Sequence, residues 1–174
     1  MKKFLAILLT LVSLLTVSVA SAENVPAINW EDIDIEALGI EGSWYTFDTI
    51  ALQIWIPDVF LNEDVTEEDG EGVIGKFVTA DQTAAIYGQV IEGYEGATME
   101  ELIASIESNG ATEIERCLLN GLDAVSYSIP DTDAVYVTFV TESGNFVQFI
   151  FTPVSDEGFA EVAQLVTASI MPEQ

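Results

Sequence analysis

Asn62-Glu63-Asp64-Val65-Thr66-Glu67-Glu68-Asp69-Gly70-Glu71 is the densest run of metal-ligand side chains in the chain. Seven of these ten residues carry a carboxylate or an amide, and Gly70 permits a sharp turn. Hard cations such as Ca²⁺ take about six to eight oxygen ligands. Taking Asn62 as position 1 of an EF-hand puts Asp64 at 3 and Thr66 at 5, but Glu67 stands where the glycine belongs and Glu71 falls at 10. Asp64, Glu67, Glu68, Asp69 and Glu71 are therefore expected to bind Ca²⁺ weakly, on the order of millimolar, and to lose it to salt screening. Carboxylates packed this densely repel, so loop 58–72 is expected to be open and solvated without a cation.

The remaining chemistry is bounded by residue types. With no His, Ser-His-Asp, Cys-His and zinc-histidine sites are excluded. The single Cys, Cys117, rules out thiolate metal centres and CxxC redox chemistry, and its place in a strand reads as a small apolar core residue. GEGVIGK lacks the spacing and the Ser/Thr of a phosphate loop. No cofactor is implied and no catalytic residue can be named. Among 30 acids some carboxylate pairs must fall within about 5–10 Å, the separation glycosidases use; their sheer number makes any one pair uninformative.

The elements that position these residues centre on 111–152. Asn120-Gly121 between ATEIERCLL and LDAVSYSI is a strong hairpin signal, since both turn positions need positive φ. Pro130–Asp133 and Ser143-Gly144 mark two further turns, giving a meander of strands near 112–119, 122–129, 134–141 and 146–152. Propagating the register puts Arg116, Asp123, Val125, Tyr127, Tyr136, Thr138, Val147, Phe149 and Phe151 on one face. Cys117, Leu119, Leu122, Ala124, Val135, Val137, Phe139 and Ile150 fall on the other. Both faces are largely apolar, so both should be covered. Arg116 opposes Val125 and lies diagonal to Asp123, close enough for an ion pair.

Two hairpins precede the meander. SWYTF and IALQIWI flank Asp48-Thr49, with Ile50, Leu52, Ile54 and Ile56 sharing a face with Tyr45 and Phe47. Trp44 and Trp55 fall on the opposite face, as core beneath a helix or as an exposed patch. The second hairpin spans 73–80 and 83–91 around Asp81-Gln82. Helices are expected at 30–38 (capped by Asn29, stopped by Gly39), at 98–108 (capping box Thr98 to Glu101) and at 156–170 (capped by Ser155, ended by Met171-Pro172). Residues 23–28 read as an unstructured lead.

Residues 1–22 read as a secretory signal peptide: Lys2-Lys3, the apolar run FLAILLTLVSLLTVSVA, then Ala20-Ser21-Ala22. Cleavage before Glu23 leaves two cations, Lys76 and Arg116, against 30 acids, a formal charge of −28. Such charge repels nucleic acid and anionic membranes and favours cationic partners. The expected division is 1–22 signal peptide, 23–42 lead with a short helix, and 43–174 a single α+β domain. The expected fold is an antiparallel sheet covered by helices on both faces.

WYTFDTIALQIWIPD, TMEELIASIESNGATEIERCLLNGLDAVSY and the closing SIMP together resemble the PsbP/Mog1-like fold, over about 43–172. The chain is also similar to small secreted bacterial proteins of unassigned function. The resemblance implies an α/β/α sandwich and a binding or assembly role rather than an enzyme, and it carries over no functional residue. The sequence thus points to a secreted (in a two-membrane cell, periplasmic), acidic, non-enzymatic interaction module for a protein or small ligand, cationic by charge complementarity. The alternative is a carboxylate-based secreted hydrolase.

Overall fold

A computed structural model describes residues 25–91, 96–141 and 145–173. Residues 1–22, expected to be a signal peptide, and the expected Ser143-Gly144 turn lie outside them. The strands are β1 (Ala27–Ile28), β2 (Gly42–Phe47), β3 (Leu52–Pro57), β4 (Phe60–Asn62), β5 (Val73–Thr79), β6 (Ala85–Ile91), β7 (Thr112–Leu119), β8 (Leu122–Ser128), β9 (Val135–Val140), β10 (Phe146–Thr152) and β11 (Met171–Pro172). The helices are α1 (Ile35–Leu38), α2 (Met99–Ser108) and α3 (Glu157–Ser169). Eight strands form one sheet in the order β1-β7-β8-β9-β10-β6-β5-β4, and three form a second, β11-β3-β2.

Asn120 and Gly121 take φ of 49° and 87°, the pair of positive values a two-residue turn requires. Cys117 consequently faces Ala124 and Arg116 faces Val125, as expected. The next turn also keeps its register, with Tyr127 opposite Tyr136. The last one does not. Phe146, not Val147, pairs with Val140, so β10 is turned over relative to the expectation. The cause is an odd-length connection: Thr141 N donates to Asn145 O (2.9 Å) and Asn145 N to Thr141 Oγ1 (3.1 Å), closing a five-residue loop. Val147, Phe149 and Phe151 thus join the face of Ala124, and Ile150 joins that of Tyr136.

In the first hairpin the turn is longer than Asp48-Thr49. Phe47 pairs with Leu52 and Tyr45 with Ile54, around a loop in which Ile50 N donates to Phe47 O and Ala51 takes φ 52°. A shift of two residues preserves the faces, so the aliphatic stripe and the two tryptophans remain on opposite sides.

Four further expectations are corrected. The lead is not unstructured: β1 adds to β7 in parallel, Leu118 N donating to Pro26 O and Asn120 N to Ile28 O. The large sheet is therefore mixed rather than antiparallel. The 30–38 helix splits into a 3₁₀ turn, Trp30–Asp32, and α1, because the Asp34 carboxylate takes the capping role and accepts from Ala37 N at 3.0 Å. At α3 the cap is Asp156, which accepts from Phe159 N at 2.8 Å, while Ser155 donates instead to Asp133. Met171-Pro172 does more than end α3, since it pairs with Leu52 and Gln53 of β3. The α2 capping box stands as expected, Thr98 and Glu101 exchanging bonds of 2.9 and 3.2 Å.

Two buried clusters hold the layers. The larger joins Leu52, Ile54 and Ile56 to Phe139, Phe149 and Phe151, with Phe159, Ala163 and Val166 of α3. The smaller joins Met99, Leu102 and Ile106 of α2 to Val125, Tyr127 and Phe146. Among the described residues the molecule is mostly sheet with three α-helices, and the small sheet supplies a covering layer that had been expected of helix alone.

Candidate functional site

Trp44 of β2 and Trp55 of β3 are directly paired across the ladder, on the face away from the aliphatic core. Trp55 is 5% exposed and Trp44 43% exposed, so one is packed and the other presented. Trp30, in the 3₁₀ turn, packs against both: its ring centroid is 5.6 Å from that of Trp44 at 78°, and 5.7 Å from that of Trp55 at 39°. Aromatic pairs favour such edge-on and offset geometries. The backbone of Trp55 is fixed by Ser169 at the end of α3, whose buried hydroxyl accepts from Trp55 N at 2.9 Å and donates to Val166 O at 2.6 Å.

Asn120 assembles the rest. Its Oδ1 accepts from Trp30 N at 2.6 Å, and its Nδ2 donates to Ala168 O and Ile170 O, 2.8 Å each. One amide so ties the N-terminal turn, the β7–β8 turn and the end of α3. Where these meet β2 and β11, a cleft of about 670 Å³ opens, lined by Trp30, Trp44, Gln53, Asn120, Pro172 and the acidic residues Glu31, Asp32 and Glu173 among others. That volume lies within the usual range for small-ligand sites, about 300–1,000 Å³. The sequence marked Asn120 only as a turn former and Trp30 only as the first residue of an expected helix. No periodicity announces that segments 90 residues apart converge through one side-chain amide.

The acidic segment 58–72 is not the open loop expected: it holds β4 and a 3₁₀ turn, and a cation outside it ties it down. Lys76 of β5 reaches Asp69 at 2.8 Å and Glu63 at 3.3 Å. Asp69 Oδ2 also accepts from the Thr66 N–H and hydroxyl, both at 2.8 Å, closing the 3₁₀ turn Glu67–Asp69. Asp64, Glu67, Glu68 and Glu71 are exposed. Among the described residues no three acidic, His or Cys side chains gather as a metal cluster.

The Lys76 hydrogen bond, helped by Thr66, holds the Asp69 carboxyl down at about 2 from an ordinary 3.8. A depressed carboxylate stabilises the fold above its unfolded pKa, and the effect is lost as pH falls through the folded value. The window is therefore from about pH 4 down to about pH 2. Protonating the other acids relieves self-repulsion and acts in the opposite sense, so the contrast is read against a variant. Lys76→Met is expected to show a smaller drop in urea midpoint than the wild type between pH 4.5 and pH 2. Parallel pH curves for the two proteins would show that the pair contributes nothing.

Arg116 is structural. Its Nε and Nη2 bond Asp123 Oδ1 and Oδ2 at 2.8 and 2.6 Å, and Nη1 bonds Glu100 Oε1 of α2 at 2.8 Å. The bidentate fork to Asp123 lies within the β7–β8 hairpin, and the Nη1 bond to Glu100 ties α2 to it. Burial pushes the neighbouring Cys117 thiol up to about 12, with Glu115 and Asp123 adding repulsion of the thiolate, so it is no nucleophile.

Together the mixed, mostly stranded sheet and its three helices make a PsbP/Mog1-like fold of the α+β class. No protein-family model and no curated protein matches the chain. Among solved structures it is similar to cyanobacterial PsbP (CyanoP) from Synechocystis sp. PCC 6803, with a TM-score of 0.52 and 12% identity over 76% of this chain and 93% of that one. A Bacteroides thetaiotaomicron VPI-5482 protein matches with a TM-score of 0.50 and 16% identity over 78% of this chain, which spans 50% of that longer chain. The Saccharomyces cerevisiae Ran-binding protein Mog1p matches with a TM-score of 0.42 and 11% identity over 76% of this chain and 96% of that one. At these identities the likeness is one of fold.

Proposed function

We propose that this chain is an exported, non-enzymatic binding module whose ligand occupies the Trp30–Trp44 cleft. The observation that carries it is an exposed tryptophan, Trp44, held against a second by a dedicated hydrogen-bonded scaffold. Aromatic side chains left partly bare at a concave surface mark interaction sites. Export rests on the basic start, apolar run and Ala20-Ser21-Ala22 of residues 1–22. The fold reading that goes with it is a large sheet covered on both sides, by α2 on one and by α3 with the small sheet on the other. The two separate core clusters support this.

The hydrolase alternative is less well supported. A general acid at neutral pH needs a carboxyl raised by burial, and Glu31, Asp32 and Glu173 are all exposed. Partial burial, and then Glu113, pushes the Glu115 carboxyl upward, but Glu115 does not line the cleft.

A fragment library screened by amide chemical-shift mapping tests the reading. Hits are expected to move residues 29–32, 44, 53, 120 and 171–173, and ester, peptide and glycoside substrates are expected to stay at background. Shifts confined to other surfaces would overturn the site. Turnover abolished by a single carboxylate change would establish the hydrolase.

A further inference from the structure

We infer that the cleft takes an organic ammonium ion, a reading that rests on the cleft being the ligand site. Trp30 and Trp44 line it with rings 78° apart. Indole faces attract cations through their quadrupole when the charge lies within about 6 Å of the ring centroid. The two rings pack edge to face, 5.6 Å between centroids, so the bare aromatic surface is that of Trp44, 43% exposed, and an alkylated ammonium group would seat against it.

The charges around the rings point the same way. Glu31, Asp32 and Glu173 line the cleft. Among the described residues the cations are Lys76 and Arg116, and both are committed elsewhere, to Asp69 with Glu63 and to Asp123 with Glu100. Neither lines the cleft. The cleft is therefore negative with no cation of its own, and the polar groups beside the rings are Gln53, Asn29 and Asn120. An anionic ligand would be repelled by three carboxylates, and a neutral apolar one would gain nothing from them. A weakly hydrated alkylammonium satisfies both the rings and the carboxylates.

Calorimetric titration of the purified protein with choline, and with its neutral isostere 3,3-dimethylbutan-1-ol, tests this. Choline is expected to bind about 10-fold tighter than the isostere, the scale of a partly desolvated cation–π contact. Trp44→Leu, at an exposed position where the fold has little to lose, is expected to weaken choline by about 10-fold. Glu31→Gln combined with Asp32→Asn should weaken choline and leave the isostere unchanged. Equal affinity for the two probes would overturn the cation and keep the cleft as an apolar site. Choline binding that ignores Trp44→Leu would reduce the effect to the bulk charge of the protein and overturn the inference. Binding of neither probe, with no fragment reaching the cleft, would overturn the site as well.

Discussion

Asn120→Ala is expected to lower stability by roughly 4 kcal/mol and to loosen the cleft. The side chain makes three hydrogen bonds, of 2.6, 2.8 and 2.8 Å. Each contributes about 1 kcal/mol net, and more where the abandoned partner stays buried. Ile170 and Ala168, whose carbonyls would be orphaned, are at most 1% exposed. The backbone adds its own term, because φ is 49° and a left-handed alanine costs about 1 kcal/mol or more. Asn120→Gly separates the two effects, since glycine accepts that φ freely and loses only the amide. It is expected to retain the hairpin and still fall by about 3 kcal/mol. Asn120→Asp keeps the acceptor for Trp30 N but turns a carboxylate oxygen toward two carbonyls, and should be no better than glycine. Urea unfolding gives the stabilities, and tryptophan emission reports the release of Trp30 from its anchor. An Asn120→Gly protein within about 0.5 kcal/mol of the wild type would show that the junction is held by packing alone.

The same residue shows where sequence reading stops. Asn120-Gly121 is legible because its conformational demand is local: two positive φ values, one dipeptide. The capping box at Thr98 and the pairing of Cys117 with Ala124 are legible for the same reason. Errors arose wherever the deciding contact was remote or the connection had odd length. The 141–145 loop turned β10 over, while the 48–51 loop, longer than expected by an even number, did no such harm. Strand β1 was invisible because two residues carry no periodicity, and its partner is the otherwise unpaired edge of β7. The acidity of 62–71 is legible as composition, but that Lys76 on the neighbouring strand pairs with Asp69 and Glu63 is set only by the fold. The tryptophans were placed on the right face; that Trp30 would lie against them depended on Asn120, which sequence alone assigned to a turn.

Gly42→Ala is expected to cost about 2 kcal/mol, typical of overpacking, and to disorganise the aromatic site from beneath. Gly42 sits on β2 opposite Pro57, where its missing side chain leaves room for the Trp55 indole. A Cβ there would overlap Cζ2 and Cε2 of that ring and lie 2.7 Å from the Ile56 carbonyl oxygen. The carbonyl belongs to the β3 backbone and has little freedom to retreat. The indole is 5% exposed, and its backbone N–H is held by the Ser169 hydroxyl at 2.9 Å. Relief must therefore come from rotating the ring, and the ring's neighbour is Trp30, 5.7 Å away. Near-ultraviolet circular dichroism, sensitive to coupled indoles, should lose intensity in Gly42→Ala while the far-ultraviolet spectrum persists. Combining Gly42→Ala with Trp55→Leu removes most of the overlap, so the two losses should sum to less than their separate values, as contacting sites do. Strict additivity, or a Gly42→Ala protein with wild-type stability and unchanged aromatic signal, would show that the indole has room to give. In that case the tryptophan trio is a loose cluster, and the shape of the cleft is set by Asn120 alone.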